Sequence, residues 1–320
     1  MRFLLTIIIV AISFLSCSKD AKKPIDVSAI KLDFKVDRFD VDFYKNLDEN
    51  ILNLKEKYPL LFPMNTADSV WISKRNNKDE QELFTETQKI FKDFSSTKNN
   101  LLSLFKYVKY YNPKFKSPNV ITMLTNIDYD NRVIYPSDSL LIISLDAYLG
   151  KEHIFYSDYP KYIKENNTKE RIVVDVANAI INKQLVSNTD RSFLGKILFE
   201  GKKLFLLDLY LPLLSAKEKT GYTIEKLEWA INNEEQIWKY FIERKLLYST
   251  DTNLNKRFIE NAPFSKFYLE QDNLSPGRIG SWIGWNIVAS YMKHNDVSLQ
   301  ELMNLDAENI LNKSKYKPKK

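Results

Sequence analysis

The amino-acid sequence predicts an α+β fold, with a small mixed or antiparallel sheet in the N-terminal half and a mainly helical C-terminal half. Two runs rich in aliphatic and β-branched residues, 120–124 and 140–145, predict strands. Residues 30–37 alternate between apolar and polar side chains, which predicts a third, half-buried strand. After Pro160 the apolar residues recur at helical spacing almost to the C-terminus.

Helices are expected between the first strand and the later ones. Residues 50–57 predict a short helix that ends before Pro59. Asn77 followed by Glu80 is typical of a helix N-terminus. A further helix is indicated by apolar residues at helical spacing: Leu101, Leu104 or Phe105, and Val108.

The later strands are expected to form a meander, with a turn at 128–131 and a short strand at 132–135 between the two β-rich runs. We expect one α+β domain over residues 28–312, with an N-terminal lobe at 28–160 and a helical lobe at 161–312.

The N-terminus is expected to be an export signal. Residues 3–15 contain no charge and follow Arg2, and this run is shorter than the roughly 20 apolar residues of a spanning helix. The segment before Cys17, the only cysteine, resembles a bacterial lipobox, which implies diacylglycerol on the Cys17 thiol and cleavage before it. We therefore expect a signal peptide at 1–16 and a lipidated tether at 17–27. The alternative is an ordinary secretory signal with a chance cysteine.

Composition excludes several function classes. All seven glycines lie from Gly150 onward, so the first half has no glycine-rich phosphate loop, and no nucleotide-binding fingerprint occurs anywhere. The net charge of +6 is spread along the chain, and no nucleic-acid-binding motif is present. We expect no nucleic-acid partner and no cofactor. The densest basic run, the tail at 313–320, is expected to be a solvated end, or less often a contact for anionic lipid.

Three blocks of the second half carry polar or small residues within apolar surroundings. In 172–181 only Asp175 and Asn178 are polar, and their spacing puts them on one helical face. A second block, 199–201, contains Glu200 followed by glycine. The third, 276–285, has glycines three and four residues apart, which favours close approach of another element. The polar residues are consistent with hydrogen-bonded core positions, with a binding cleft or with catalysis.

The order of these blocks resembles the zincin-like metallopeptidase pattern, in which two histidines and a later glutamate bind zinc. That resemblance places Val174 and Asn178 at the histidine positions, Asp175 at the general-base position and Glu200 at the third ligand. Valine has no lone pair, and the only histidines, His153 and His294, lie outside the motif. The resemblance therefore implies a metal-free, non-enzymatic relative of a peptidase.

Nearly the whole chain resembles the GldB family of gliding motility lipoproteins. The segments that carry this resemblance are 14–20, 36–40, 140–150, 199–201, 276–282 and 298–303. The resemblance implies a lipoprotein that is held in the bilayer by acyl chains and works with other gliding motility and secretion proteins of the cell envelope. By resemblance to the lipoprotein-sorting rules of enteric bacteria, Ser18 after the cysteine implies the outer membrane, facing the periplasm, and the inner membrane is the alternative.

Two further hypotheses concern the role of this lipoprotein. We expect a non-catalytic assembly or binding protein, and the alternative is an active envelope hydrolase, either a metallopeptidase or a peptidoglycan-acting enzyme with two carboxylates. Arg278, at the start of the glycine-rich block, is expected either to pair with Glu200 in place of a metal or to be an exposed arginine.

Overall fold

The computed structural model describes residues 24–45, 50–185 and 189–319. Cys17, the predicted signal peptide at 1–16 and most of the predicted tether lie outside the described residues. The end of the tether already contacts the folded part, since Val27 is buried and the Tyr107 hydroxyl donates to the Ile25 carbonyl at 3.0 Å.

A four-stranded mixed sheet lies in the N-terminal half, as predicted. Its strands are β1 (Val36–Arg38), β2 (Asn119–Met123), β3 (Val133–Ser137) and β4 (Leu140–Ser144), in the order β1-β2-β4-β3. β2 pairs in parallel with β1 and β4, and β3 pairs antiparallel with β4. The predicted meander is therefore wrong, because β4 lies between β2 and β3.

The predicted first strand is shortened to β1. Apolar and polar side chains alternate over residues 30–37, but of these residues only 36 and 37 belong to β1 and pair with β2. Upstream of β1, the Phe34 ring is buried edge-on against Phe105, with centroids 5.0 Å apart. The alternation thus reflects packing on a helix in addition to strand pairing.

Helices connect β1 to β2. They are α1 (Phe39–Tyr44), α2 (Ile51–Lys57), α3 (Asp68–Asn76), α4 (Lys78–Phe91) and α5 (Ser95–Tyr111). The predicted helix starts are confirmed: the Asn50 side chain accepts a hydrogen bond from the Leu52 N–H, and Asn77 accepts from the N–H groups of Asp79 and Glu80.

The C-terminal half is mainly helical, as predicted. Its helices are α6 (Lys161–Lys164), α7 (Ile172–Gln184), α8 (Phe193–Tyr210), α9 (Ala216–Thr220), α10 (Ile224–Asn232), α11 (Glu234–Glu243), α12 (Asn253–Phe258), α13 (Ile279–His294), α14 (Leu299–Asn304) and α15 (Ala307–Lys313). Among the described helices, not one combines the length and the apolar character needed to cross a membrane.

Two apolar clusters form the core, and helix α8 belongs to both. The first cluster gathers the sheet, α5, α7 and the end of α8, which contributes Leu206 and Tyr210. The second gathers α11, α13 and the start of α8, which contributes Phe193 and Ile197. The first cluster continues through α7, beyond the predicted lobe boundary at residue 160.

The glycines of α13 lie where this helix crosses α8. A Cβ on Gly201 would lie 2.2 Å from the carbonyl carbon of Gly284, so these two helices touch through their backbones. The predicted close approach is confirmed.

The C-terminal tail is docked for part of its length. Ser314 is fully buried, and its carbonyl accepts a hydrogen bond from the Ser290 hydroxyl at 2.7 Å. The Tyr316 hydroxyl donates to Glu234 Oε1 at 2.8 Å, and its ring lies edge-on to Trp238. The expectation of a solvated tail is therefore wrong for these residues, because they fill a groove between α11 and α13.

Candidate functional site

A cleft runs between α7, α9 and the segment that leads into α13. It consists of three adjoining cavities of about 560, 300 and 320 Å³, and Asn166 lines all three. We call the first the apolar-walled cavity and the second the polar cavity. Arg278 lines both of these and stands at their boundary.

One face of α7 forms a wall of the polar cavity. Asp175, Asn178 and Asn182 are spaced by three and four residues, so their side chains share that face. The opposite face of α7 is apolar and buried from Ile172 to Ile181, which fixes the helix against the sheet and α8. Tyr129 and Arg132, which precede β3, and Asn261, which follows α12, complete the cavity.

Asp175 is held by three donors. Its Oδ1 accepts from Arg171 Nε at 2.9 Å, and its Oδ2 accepts from the Tyr148 hydroxyl at 3.0 Å and from Arg132 Nη1 at 3.4 Å. Burial raises the pKa of Tyr148 well above its usual value, which keeps the phenol protonated as a donor. This carboxylate therefore orients two guanidinium groups.

The Arg132 guanidinium is fixed from several directions. Nη1 also donates to the Asn166 carbonyl at 3.1 Å, and Nη2 donates to the Asn167 side chain. The guanidinium lies 4.3 Å from the centroid of the Tyr129 ring. Arg132 therefore presents a positive charge at a defined place in the cavity wall.

Arg278 occupies an unusual backbone position at the start of α13. Its φ of +57° lies in the left-handed region, which is uncommon for residues other than glycine. Nη2 donates to the Thr220 carbonyl, the last residue of α9, at 2.6 Å. Within the described part of the chain, no carboxylate pairs with this guanidinium.

Of the two alternatives for Arg278, the pair with Glu200 is wrong. Glu200 instead accepts from Lys203 at 2.8 Å, one turn along α8, and it lines none of the three cavities. The arginine is drawn to α9 because the C-terminal carbonyls of a helix lack intrahelical partners.

Positive charge exceeds negative charge in the polar cavity. Three arginines line it (Arg132, Arg171 and Arg278), against Asp175 and the exposed Asp130 at the rim. The side-chain amides of Asn178 and Asn182 make no hydrogen bond with any part of the chain that the structure describes. The wall thus offers cationic donors and free amide groups together.

The apolar-walled cavity adjoins this charged wall. Its apolar lining comprises Tyr222, Ala262, Pro263, Phe264, Leu274 and Pro276. The Tyr222 hydroxyl donates to the Gly277 carbonyl at 2.7 Å. Because this polar atom is already paired, the Tyr222 ring contributes an apolar surface to the cavity wall. Lys226 lies at one side, and its ammonium donates to the carbonyls of Asn273 and Ser275. The cavity can therefore hold an apolar group beside the Arg278 guanidinium.

The four positions of the peptidase-like pattern have different surroundings. Val174 is only 1% exposed, lies in the first core cluster and borders the third cavity. Asp175 and Asn178 line the polar cavity, and Glu200 lines none of the three cavities. Among residues 24–45, 50–185 and 189–319, no group of three or more His, Cys, Asp or Glu side chains has the arrangement of a metal site.

Several residues of the cleft were not singled out in the sequence. Arg171 had a local signal, because it precedes Asp175 by four residues and such pairs meet on a helix. Arg132 and Asn261 reach the cavity from distant segments, and no spacing in the sequence relates them to α7.

Comparison with known proteins gives one match. A family described as "Gliding motility protein GldB" matches residues 20–318. Neither a curated protein nor a solved structure matches the chain.

Proposed function

Because this chain belongs to the family of gliding motility protein GldB, we propose that it is a lipid-anchored component of the gliding motility machinery that binds a partner in its cleft without catalysing a reaction. The match over residues 20–318 carries this proposal, since it spans nearly all of the described chain. Its partners would be other gliding motility and secretion proteins of the envelope.

The anchor belongs to the proposal as well. Cys17 follows an apolar segment of signal-peptide length, and the matched region begins three residues after it, at residue 20. Two or more acyl chains hold a protein stably in a bilayer, whereas one holds it only marginally. We place the folded part in the periplasm, tethered to the outer membrane, on the basis of Ser18.

The geometry of Asp175 supports binding over catalysis. A general base must be able to take a proton from a substrate or a water molecule. Both oxygens of Asp175 already accept hydrogen bonds from Arg171, Arg132 and Tyr148. Among the described residues that line the polar cavity, the carboxylates are Asp130 and Asp175, and no Ser, Thr, Cys, His or Lys lies with them as a nucleophile or base. A metal-free relative of zincin-like peptidases would have these properties.

Gliding of cells tests the proposal. Replacing Cys17→Ser should release the protein from the membrane fraction and abolish gliding. Arg278→Asn should abolish gliding while the protein remains membrane-bound at its normal level, because asparagine tolerates the left-handed backbone. Cells that carry Lys293→Ala, a change on the exposed side of α13, should glide normally. Normal gliding by cells whose Cys17→Ser protein is free in the periplasm contradicts the proposal.

The hydrolase alternative has its own assay. Purified full-length protein is incubated with peptidoglycan and with an unfolded protein substrate, and released fragments are measured. Multiple turnovers that are lost in Asp175→Asn would show an enzyme and refute a purely binding role.

A further inference from the structure

We propose that the cleft binds a peptide carboxylate, with Arg278 as its ion-pair partner and with the neighbouring apolar side chain of the peptide in the apolar-walled cavity. This inference rests on the proposed function, because it names the chemistry of the partner segment. Nothing in the family description specifies a ligand.

The first argument is the unequal charge balance of the three arginines. Asp175 pairs with Arg132 and with Arg171, whereas Arg278 is bound only to the uncharged Thr220 carbonyl. A half-buried guanidinium without a counterion favours an anion from outside. Its planar fork of donors suits a carboxylate, which can accept two parallel hydrogen bonds.

The second argument is that this arginine occupies a position of backbone strain. A residue with a side chain is disfavoured at the φ of +57° found for Arg278. Sparsely populated backbone conformations cluster at ligand-binding sites, where the strain is part of how a side chain is aimed. Here the strained residue is the one whose charge is not neutralised, and it stands between the two cavities.

The free amides favour a peptide backbone next to the carboxylate. Asn178 and Asn182 lie one turn apart on α7, and their side-chain amides make no hydrogen bonds within the described chain. A side-chain amide both donates and accepts, as a peptide group does. Two such groups in a row on the cavity wall can pair with the N–H and C=O groups of an extended segment.

The apolar-walled cavity indicates what stands beside the carboxylate. Its volume of about 560 Å³ lies within the usual range of ligand pockets, roughly 300–1,000 Å³. Phe264, Leu274 and Tyr222 give it an apolar lining large enough for one or two side chains. Inorganic phosphate and unsubstituted anionic glycans carry no apolar group, so they would leave this part of the cleft unused.

The ligand carboxylate could be the C-terminus of a peptide or an Asp or Glu side chain. Both sources present the same group to Arg278, and three fluorescein-labelled peptides separate them. The first ends in Ala-Ala-Phe with a free carboxylate, the second is its C-terminal amide, and the third is an amide that ends in Ala-Asp-Phe. Polygalacturonate serves as an anionic glycan competitor.

The experiment measures fluorescence anisotropy with the full-length lipoprotein in detergent micelles. We expect the free acid, the Asp-containing amide or both to bind at least about tenfold more tightly than the neutral amide. Arg278→Asn should weaken that binding roughly 10- to 100-fold, the usual effect of losing a charge-assisted hydrogen bond. Lys293→Ala should leave binding unchanged.

A second variant tests the inference independently in case Arg278→Asn does not fold. Asn178→Ala removes a side chain that has no hydrogen bond to lose, and it should weaken peptide binding with an unchanged melting temperature. Equal binding of all three peptides, displacement by polygalacturonate without peptide binding, or equal affinity of wild type and Arg278→Asn would each overturn the inference.

The two proposals fail in different ways. If Arg278→Asn stops gliding and no peptide binds, the ligand class is wrong and the binding role stands. If peptides bind as expected and Arg278→Asn cells glide normally, the inferred ligand is right and the proposed role of the cleft in gliding is wrong.

Discussion

Gly284 lies so close to Ile197 that a Cβ on the glycine would be 1.8 Å from the Ile197 carbonyl oxygen. This contact, together with that of Gly201, brings α13 and α8 to a separation that only glycine permits. An interior helical glycine costs about 1 kcal/mol relative to alanine, and close packing of the two helices offsets that cost.

Gly284→Ala should therefore destabilise the protein, although alanine is the better helix former. We expect a loss of about 1–3 kcal/mol in the free energy of unfolding, because overpacking against a backbone cannot be relieved by a side-chain rotation. Urea denaturation measures it, with Lys293→Ala on the exposed face of α13 as the control. An unchanged or raised midpoint for Gly284→Ala would contradict the helix contact.

Asp40 joins β1, β2 and α4 through a buried network. It is fully buried and accepts hydrogen bonds from Arg38, Gln88 and Thr122. Asp40→Ala leaves the Arg38 guanidinium without its counterion, and breaking such a buried pair typically costs about 3–5 kcal/mol.

The matched control for Asp40 is an exposed ion pair. Lys239 and Glu243 lie 3.7 Å apart with nearly two thirds of each side chain exposed, so Glu243→Ala should change stability by less than about 1 kcal/mol. Similar losses for both variants, measured by urea denaturation, would refute a special role of the Asp40 network.

Asp146 should make stability depend on pH. It is buried, and its Oδ2 accepts from the N–H groups of Thr125 and Ile127. Burial raises its pKa to about 6 from an unfolded value near 3.8, with a smaller contribution from the charge of Glu80. The folded state then binds the proton more tightly than the unfolded state. The stabilisation that this proton gives the folded state is fully present below about pH 4 and is lost as the pH rises to about 6.

Asp146→Asn isolates this effect because the amide keeps an acceptor oxygen for the two N–H groups and cannot ionise. Relative to that of Asp146→Asn, the free energy of unfolding of the wild type should fall by up to about 3 kcal/mol between pH 4 and pH 6. Urea midpoints of both proteins across that range measure the difference. A constant difference would show that Asp146 has an ordinary pKa.

The docked tail should contribute to stability through Tyr316. Its hydroxyl donates to Glu234, a carboxylate that is 2% exposed and whose second oxygen has no partner in the described chain. Tyr316→Phe keeps the ring against Trp238 and removes the donor, so we expect a loss of about 1–3 kcal/mol. Tyr268→Phe, at a residue that is 75% exposed, should be nearly neutral by the same thermal unfolding assay. Equal melting temperatures for wild type and Tyr316→Phe would show that the hydrogen bond from Tyr316 to Glu234 does not contribute to stability.

Local features of the fold could be read from the sequence. Asn50 and Asn77 cap helices because their side chains bond N–H groups two or three residues away, and such interactions need no knowledge of the rest of the chain. The order of the strands could not be predicted in this way. β4 inserts beside β2 because of long-range pairing, which the composition of each run does not encode.

The candidate site likewise combines features that local spacing predicts with contacts that depend on the whole fold. Asp175 and Asn178 share a face of α7, as their spacing predicts, and that face lines the polar cavity. Of the two alternatives for Arg278, the pair with Glu200 is wrong, since Arg278 donates to the carbonyl of a helix C-terminus and Glu200 accepts from Lys203. Arg132 is brought to Asp175 across 43 residues, and only the folded chain reveals that contact.

Helix α8 buries its first turns in one apolar cluster and its last turns in the other. Separating the two halves would expose to water an apolar face of α8 on the side that lost its cluster. We therefore expect both halves to unfold together as one cooperative unit.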